Sequence, residues 1–197
     1  NTMRTLSITT VATFLSVALG VPIGILMSRS DRVQAVATPL LDIMQTMPAF
    51  VYLIPVVMLL GIGKVPGIIA VIIYAIPPVI RLTNLGIRLV DSEVIEAATA
   101  FGANKNQRLW NVQLPLAMPN IMAGINQTIM MALSMVVIAS MIGVKGLGQP
   151  VLQSITNQYF TQGLLNGLAI VVIAIMFDRV SQAYARRTQR HLERLPR

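Results

Sequence analysis

Apolar residues in this chain come in long, evenly filled runs rather than in stripes. Five runs can be marked, at about 6–27, 40–62, 67–85, 121–142 and 163–180. A membrane-spanning helix needs about 20 apolar residues; four runs reach that length readily and the fifth does so with its flanks. Pro22, Pro48, Pro55, Pro77 and Pro78 fall inside them. In a membrane bundle, neighbouring helices can satisfy the carbonyls that proline leaves free, so these prolines predict bent helices rather than loops. The pattern predicts an all-α integral membrane protein with one domain over 1–197. Buried soluble helices are the competing reading, but the runs are too long and too uniformly apolar for it.

Composition points the same way. The chain is 55% hydrophobic and 11% charged, against about 25% charged in a typical soluble domain. Cysteine is absent and His191 is the single histidine, which excludes disulfides, thiolate chemistry and a histidine metal cluster within one chain. No metal site or bound cofactor is expected. A net charge of +8 invites a nucleic-acid reading, but the placement of the charges answers it. Arg29 and Arg32 follow the first run, Arg81, Arg88, Lys105 and Arg108 surround the segment after the third, and Arg179 to Arg197 follow the fifth. The other side holds Arg4, Lys64 and Lys145. By the positive-inside rule the N-terminus lies outside and the C-terminus in the cytoplasm, which five spans require. The basic tail, 181–197, is expected to meet anionic lipid. The chain opens at Asn1 without an initiator Met, and its first run is too long for a signal peptide, so a segment of a longer protein is expected.

Between the third and fourth runs lies a polar, jointed segment, about 91–115. Asp91 and Ser92 are good N-caps, and Glu93 and Glu96 sit where the helix dipole favours negative charge. Val94, Ala97, Ala98 and Phe101 recur at helical spacing. Gly102 suits a left-handed C-cap. Asn104 and Gln107 have capping-box spacing for a second short helix, with Leu109, Trp110 and Val112 on its apolar side. Pro115 and Pro119 are expected to break that helix before the fourth span. On pattern alone the segment is either a docking element or an amphipathic surface helix.

The spacing Glu96-Ala97-Ala98, then Gly102, then Leu114-Pro115 resembles the EAA loop of ABC-importer permeases. The segments 40–52, 61–63, 65–67, 77–78, 80–83, 113–119, 126–128, 132–142 and 146–148 are similar to those of the glycine betaine/proline betaine permeases. The resemblance runs from about Gly20 to Asp178. It implies a five-span type I importer domain in a prokaryotic inner membrane, paired with a second permease copy and seated on two ATPase subunits. Glu93, Glu96, Ala97, Ala98, Phe101, Gly102, Leu114 and Pro115 would then couple to the ATPase. ATP would be used by that partner, and this chain carries no phosphate-loop motif of its own. A separate extracytoplasmic binding protein would deliver the substrate. Glycine betaine and proline betaine lead, with choline, carnitine and trimethylamine N-oxide as alternatives.

A quaternary ammonium is recognised by aromatic faces. Phe50, Tyr52, Tyr74, Tyr159 and Phe160 are scattered along the chain and form no legible cage; the resemblance implies that the tight cage belongs to the binding protein. Polar residues within spans are the candidates for a translocation path: Gln45, Thr46, Asn126, Gln127 and Ser134, followed by Asn84, Thr128 and Ser140. Each is open to a second reading as interhelical glue. Asp42 and Arg81 either pair or snorkel. The alternative from another class is a self-sufficient ion-coupled transporter or channel, which would show internal repeats and more intramembrane ionisable residues. A membrane-embedded enzyme lacks any acid–base constellation in the spans.

Overall fold

The computed structural model describes residues 2–193, and all regular structure among them is helical. α1 (Thr2–Arg29), α2 (Asp31–Thr46) and α3 (Ala49–Leu60) lead into α4 (Lys64–Ala75) and α5 (Pro77–Arg88). Two short helices, α6 (Ser92–Ala100) and α7 (Lys105–Gln107), precede a π-helical turn at Arg108–Gln113 and the long α8 (Leu114–Ala139). α9 (Gly148–Thr156) and α10 (Phe160–Glu193) complete the described residues.

Among the described residues, four helical stretches are long and apolar enough to cross a membrane: Thr2–Arg29, Lys64–Arg88, Lys105–Ala139 and Phe160–Ala183. The second apolar run differs from a plain span. It is divided between α2 and α3, which meet at 102°. Met47 takes an extended conformation at the break, as expected for a residue whose helical region is crowded by the ring of Pro48. Counted as one broken span, the pair makes five.

α5 occupies the middle of the bundle, between α1 and α8. Gly20 and Gly24 of α1 press onto Val79, Ile80 and Thr83 from one side, and Gly124 of α8 meets Pro78, Val79 and Leu82 from the other. Ser16, Gly20 and Gly24 are buried and spaced four apart, the small-residue spacing that lets membrane helices approach closely. Half of the apolar window of Lys64–Arg88 is buried, against 6% for Phe160–Ala183. α10 is therefore peripheral, and its outward Leu165, Val172 and Met176 need a lipid or protein neighbour. The main core joins Ile8 and Ala12 of α1, Tyr52 and Val56 of α3, Val71 of α4 and Met135 and Val136 of α8.

Candidate functional site

The segment after α5 is built on a fixed root. The Arg88 guanidinium donates to the Asn84 side chain at 3.2 Å, the Met27 carbonyl at 3.1 Å and the Asp31 carboxylate at 2.7 Å. α5 is thereby tied to α1 and α2 where the loop begins. Asp91 caps α6 by accepting the Glu93 N–H at 2.9 Å. At the other end Gly102 has φ +83°. The Gly102 N–H donates to the Thr99 carbonyl at 2.9 Å and the Ala103 N–H to the Ala98 carbonyl at 3.0 Å, the paired bonds of a Schellman cap. A Cβ on Gly102 would touch nothing within 4 Å, so the glycine serves backbone conformation and not close packing within the chain.

The second cap forms as its spacing predicts. Asn104 accepts the Gln107 N–H, and the Gln107 side chain accepts the Asn104 N–H, each at 2.9 Å. The chain beyond this cap departs from expectation. Pro115 and Pro119 do not break the helix; Lys105–Ala139 runs through as one apolar stretch. The π-helical turn absorbs the proline, with Leu114 N–H reaching back five residues to Leu109. That wider turn leaves room where the Pro115 ring would otherwise crowd a carbonyl. Leu109 and Trp110 also do not share a face. Leu109 is buried with Ile87, Ala117 and Ile121, whereas Trp110 is exposed, since adjacent helical positions point about 100° apart.

The EAA-like residues divide into two groups. Glu93, Glu96, Ala97, Phe101 and Gly102 are exposed, and no residue of α6 is buried. Phe101 is 92% exposed. Val94, Ala97 and Phe101 make the outward apolar face, while Ile95 and Ala98 are half-buried. Leu114 and Pro115 are half-buried in the foot of α8, with Leu114 against the Ile87–Leu109 cluster. The knob is held from behind. Arg108 donates to the Thr99 hydroxyl at 2.8 Å, and Arg29 of α1 donates to the Asn106 side chain at 2.7 Å.

The path candidates do not gather. Gln45 and Thr46 lie exposed at the α2–α3 break, with the Thr46 hydroxyl donating to the Ile43 carbonyl at 3.0 Å. Gln127 and Ser134 are exposed on α8, and Ser134 donates to the Met130 carbonyl at 3.0 Å. Thr128 is buried, and its hydroxyl has no hydrogen-bond partner among the described residues. Asn84 accepts from Arg88, and Ser140 donates to the Val137 carbonyl at 2.5 Å. Asn126 is committed to α10: it donates to Asp178 at 3.0 Å and accepts from Ser181 at 2.8 Å. Gln182 donates to the same carboxylate at 2.9 Å. Sequence reasoning passed over Asp178, although a carboxylate ending an apolar run signals a partner on another helix. Asp42 and Arg81 do pair. Replacing Asn126 by leucine should loosen α10 from α8 by about 1 kcal/mol, the scale of interhelical bonds in membranes. A double-mutant cycle with Asp178→Asn, read by thermal unfolding in detergent, should show the two substitutions coupled; simple additivity would refute the clamp.

Four of the five candidate aromatics form two separate groups, and Phe50 is exposed on α3. Tyr52 and Tyr74 meet edge to face, with centroids 5.5 Å apart and planes at 77°. Tyr159 and Phe160 line an apolar groove of about 610 Å³ between α9 and α10. Neither arrangement is a cage of converging faces. The basic tail beyond residue 183 lies outside the residues whose side chains are described.

The family model for the binding-protein-dependent transport system inner membrane component matches residues 17–190. The chain belongs to this family. It is 54% identical over 184 residues to the glycine betaine/proline betaine transport system permease protein ProW of Escherichia coli (strain K12), covering 93% of this chain and 52% of that protein. It is 50% identical over 186 residues to the glycine betaine/carnitine transport permease protein GbuB of Listeria monocytogenes serotype 1/2a (strain 10403S), covering 94% of this chain and 66% of that one. The chain thus spans about half the length of ProW. An inward-facing structure of the MetNI methionine ABC transporter matches with a TM-score of 0.84 at 21% identity, over 94% of this chain and 93% of the other. The fold is that of an ABC-transporter permease, and the chain is an inner-membrane transport component.

Proposed function

We propose that the chain is the permease subunit of an ATP-driven importer and forms the membrane path for glycine betaine, proline betaine or a related quaternary-amine osmolyte. The observation that carries the coupling role is the α6 knob: capped at both ends, apolar on its outward face, and ending in a bare Phe101. The substrate class is supported by half-identity to ProW and GbuB across nearly the whole chain.

In this reading a separate ATPase pair grips Glu93, Glu96, Ala97, Ala98, Phe101 and Gly102. Leu114 and Pro115 root the knob in α8. When the ATPases close on ATP, the knob is displaced, and Lys105–Ala139 carries the movement into the membrane as one helical stretch. Hydrolysis at the partner resets it, and this chain contributes no nucleotide site. The loop and C-terminus face the cytoplasm, a second copy of the chain completes the path, and an extracytoplasmic binding protein supplies substrate. Gln45, Thr46, Gln127 and Ser134 remain the candidates for the path, because their exposure in one copy leaves them free to face a second.

The test is reconstitution. Liposomes holding the chain, an ATPase subunit of this family and a binding protein should accumulate labelled glycine betaine only with ATP on the ATPase side. Uptake driven by an ion gradient, with the chain alone, would return it to the self-sufficient carriers.

A further inference from the structure

Behind the knob lies a pocket that the coupling role does not use. Its volume is about 300 Å³, and it opens between the ends of α1 and α5 and the start of the π-helical turn. Arg29, Arg88, Lys105 and Arg108 line it, over a base that includes Ile87 and Leu109. No carboxylate is among the lining residues.

The cations are poorly compensated. Among the described residues, Arg88 alone of the four has an anionic partner, Asp31, whose side chain is 91% exposed and therefore strongly screened. Arg29 and Arg108 spend one donor each on neutral groups, Asn106 and Thr99. The Lys105 side chain has no partner among the described residues, although it faces the same void. Four like charges around one cavity repel one another, and arginine forks retain donors that the fold does not fill. A tetrahedral oxyanion supplies what is missing: negative charge, and several acceptors that guanidinium groups bind in bidentate fashion.

We infer that this pocket binds a phosphate-type anion, the headgroup of an anionic phospholipid or free phosphate. Its place favours the headgroup. It sits where two spanning helices end, and the exposed Trp110 beside Leu109 is a residue type that anchors at the headgroup level. The bound anion would pin α1 and α5 to the root of the knob. The inference does not depend on which substrate is carried; the proposed orientation decides only which leaflet supplies the lipid.

The experiment is thermal unfolding of the full chain in a neutral detergent. Short-chain phosphatidylglycerol, short-chain phosphatidylcholine and inorganic phosphate are titrated separately. Phosphatidylglycerol should stabilise saturably and phosphatidylcholine should not. Lys105→Gln, which removes no bond of the fold, and Lys105→Gln with Arg108→Gln should raise the half-saturating concentration, the pair by about tenfold. Arg32→Gln, which removes an equal charge outside the pocket, should stay within about twofold. Saturation by inorganic phosphate at the same concentration supports the site and assigns the free ion; failure of phosphate to do so assigns the lipid. The inference is overturned if neither anion stabilises saturably, or if Arg32→Gln weakens binding as much as the pocket variants. It is also overturned if adding the ATPase abolishes the effect, since the cations would then belong to an acidic residue of that partner.

Discussion

Phe101→Asp is expected to remove ATP-driven uptake while leaving the chain as stable as before. The side chain is 92% exposed and the residue ends a helix with no buried member, so nothing in the fold depends on the ring. An exposed aromatic normally forgoes about 1.5–3 kcal/mol of burial, and here it stands on a knob whose backbone is closed by two caps. If the ATPase receives that ring in a pocket, the substitution removes an interface anchor worth about 2–4 kcal/mol, or about a 30-fold or greater loss of ATPase affinity. Glu96→Arg should act in the same direction through charge. Co-purification of the ATPase, transport and the unfolding midpoint should be measured together. Full transport by either variant would remove the knob from the mechanism. A fall in unfolding temperature with Phe101→Asp would mean the ring serves this chain's own stability.

The second large effect concerns the bundle itself. A Cβ at Gly24 would lie 2.6 Å from the Thr83 Cβ and 2.7 Å from the Ile80 carbonyl oxygen. The backbone oxygen cannot swing aside as a side-chain tip could, so Gly24→Ala must push α1 away from α5 at a closely packed seam. The expected loss is about 1–3 kcal/mol, seen as a lower unfolding temperature in detergent. Gly167 of α10 provides the contrast, since a Cβ there meets nothing within 4 Å. Gly167→Ala should be neutral or stabilise by up to about 1 kcal/mol through helix propensity. Equal losses from both substitutions would show that the close contact with Thr83 and Ile80 does not set the cost at Gly24.

Capping was legible in advance because it is local. Asp91, Gly102, Asn104 and Gln107 act on backbone within a few residues, and each capping bond is present as the spacing predicts. The effect of proline is less legible. Pro48 does break its run, because the residue before it becomes extended, whereas Pro115 and Pro119 are carried through α8 by the π-helical turn and the packing around Leu109. Whether a proline ends a helix depends on what its neighbours can absorb, and that lies outside the local sequence. Asn126 shows the same limit, for its polarity advertised a role in the membrane but only the approach of α10 turned it into the partner of Asp178 and Ser181.

By itself, then, the sequence determined the membrane as solvent, the number of apolar runs, the jointed polar loop and the family resemblance. These rest on composition and short-range spacing, which require no knowledge of what lies across the bundle. The tertiary structure alone decided that α5 is the central helix, that Phe101 stands free while Leu114 is packed into the root, and that four cations share one pocket. Those facts depend on helices far apart in the chain approaching to within a few ångströms. In a bundle whose outer surface is as apolar as its core, hydrophobicity does not say which face turns inward. Small residues, paired polar groups and the fit of side chains decide it, and their partners become visible only when the helices are together.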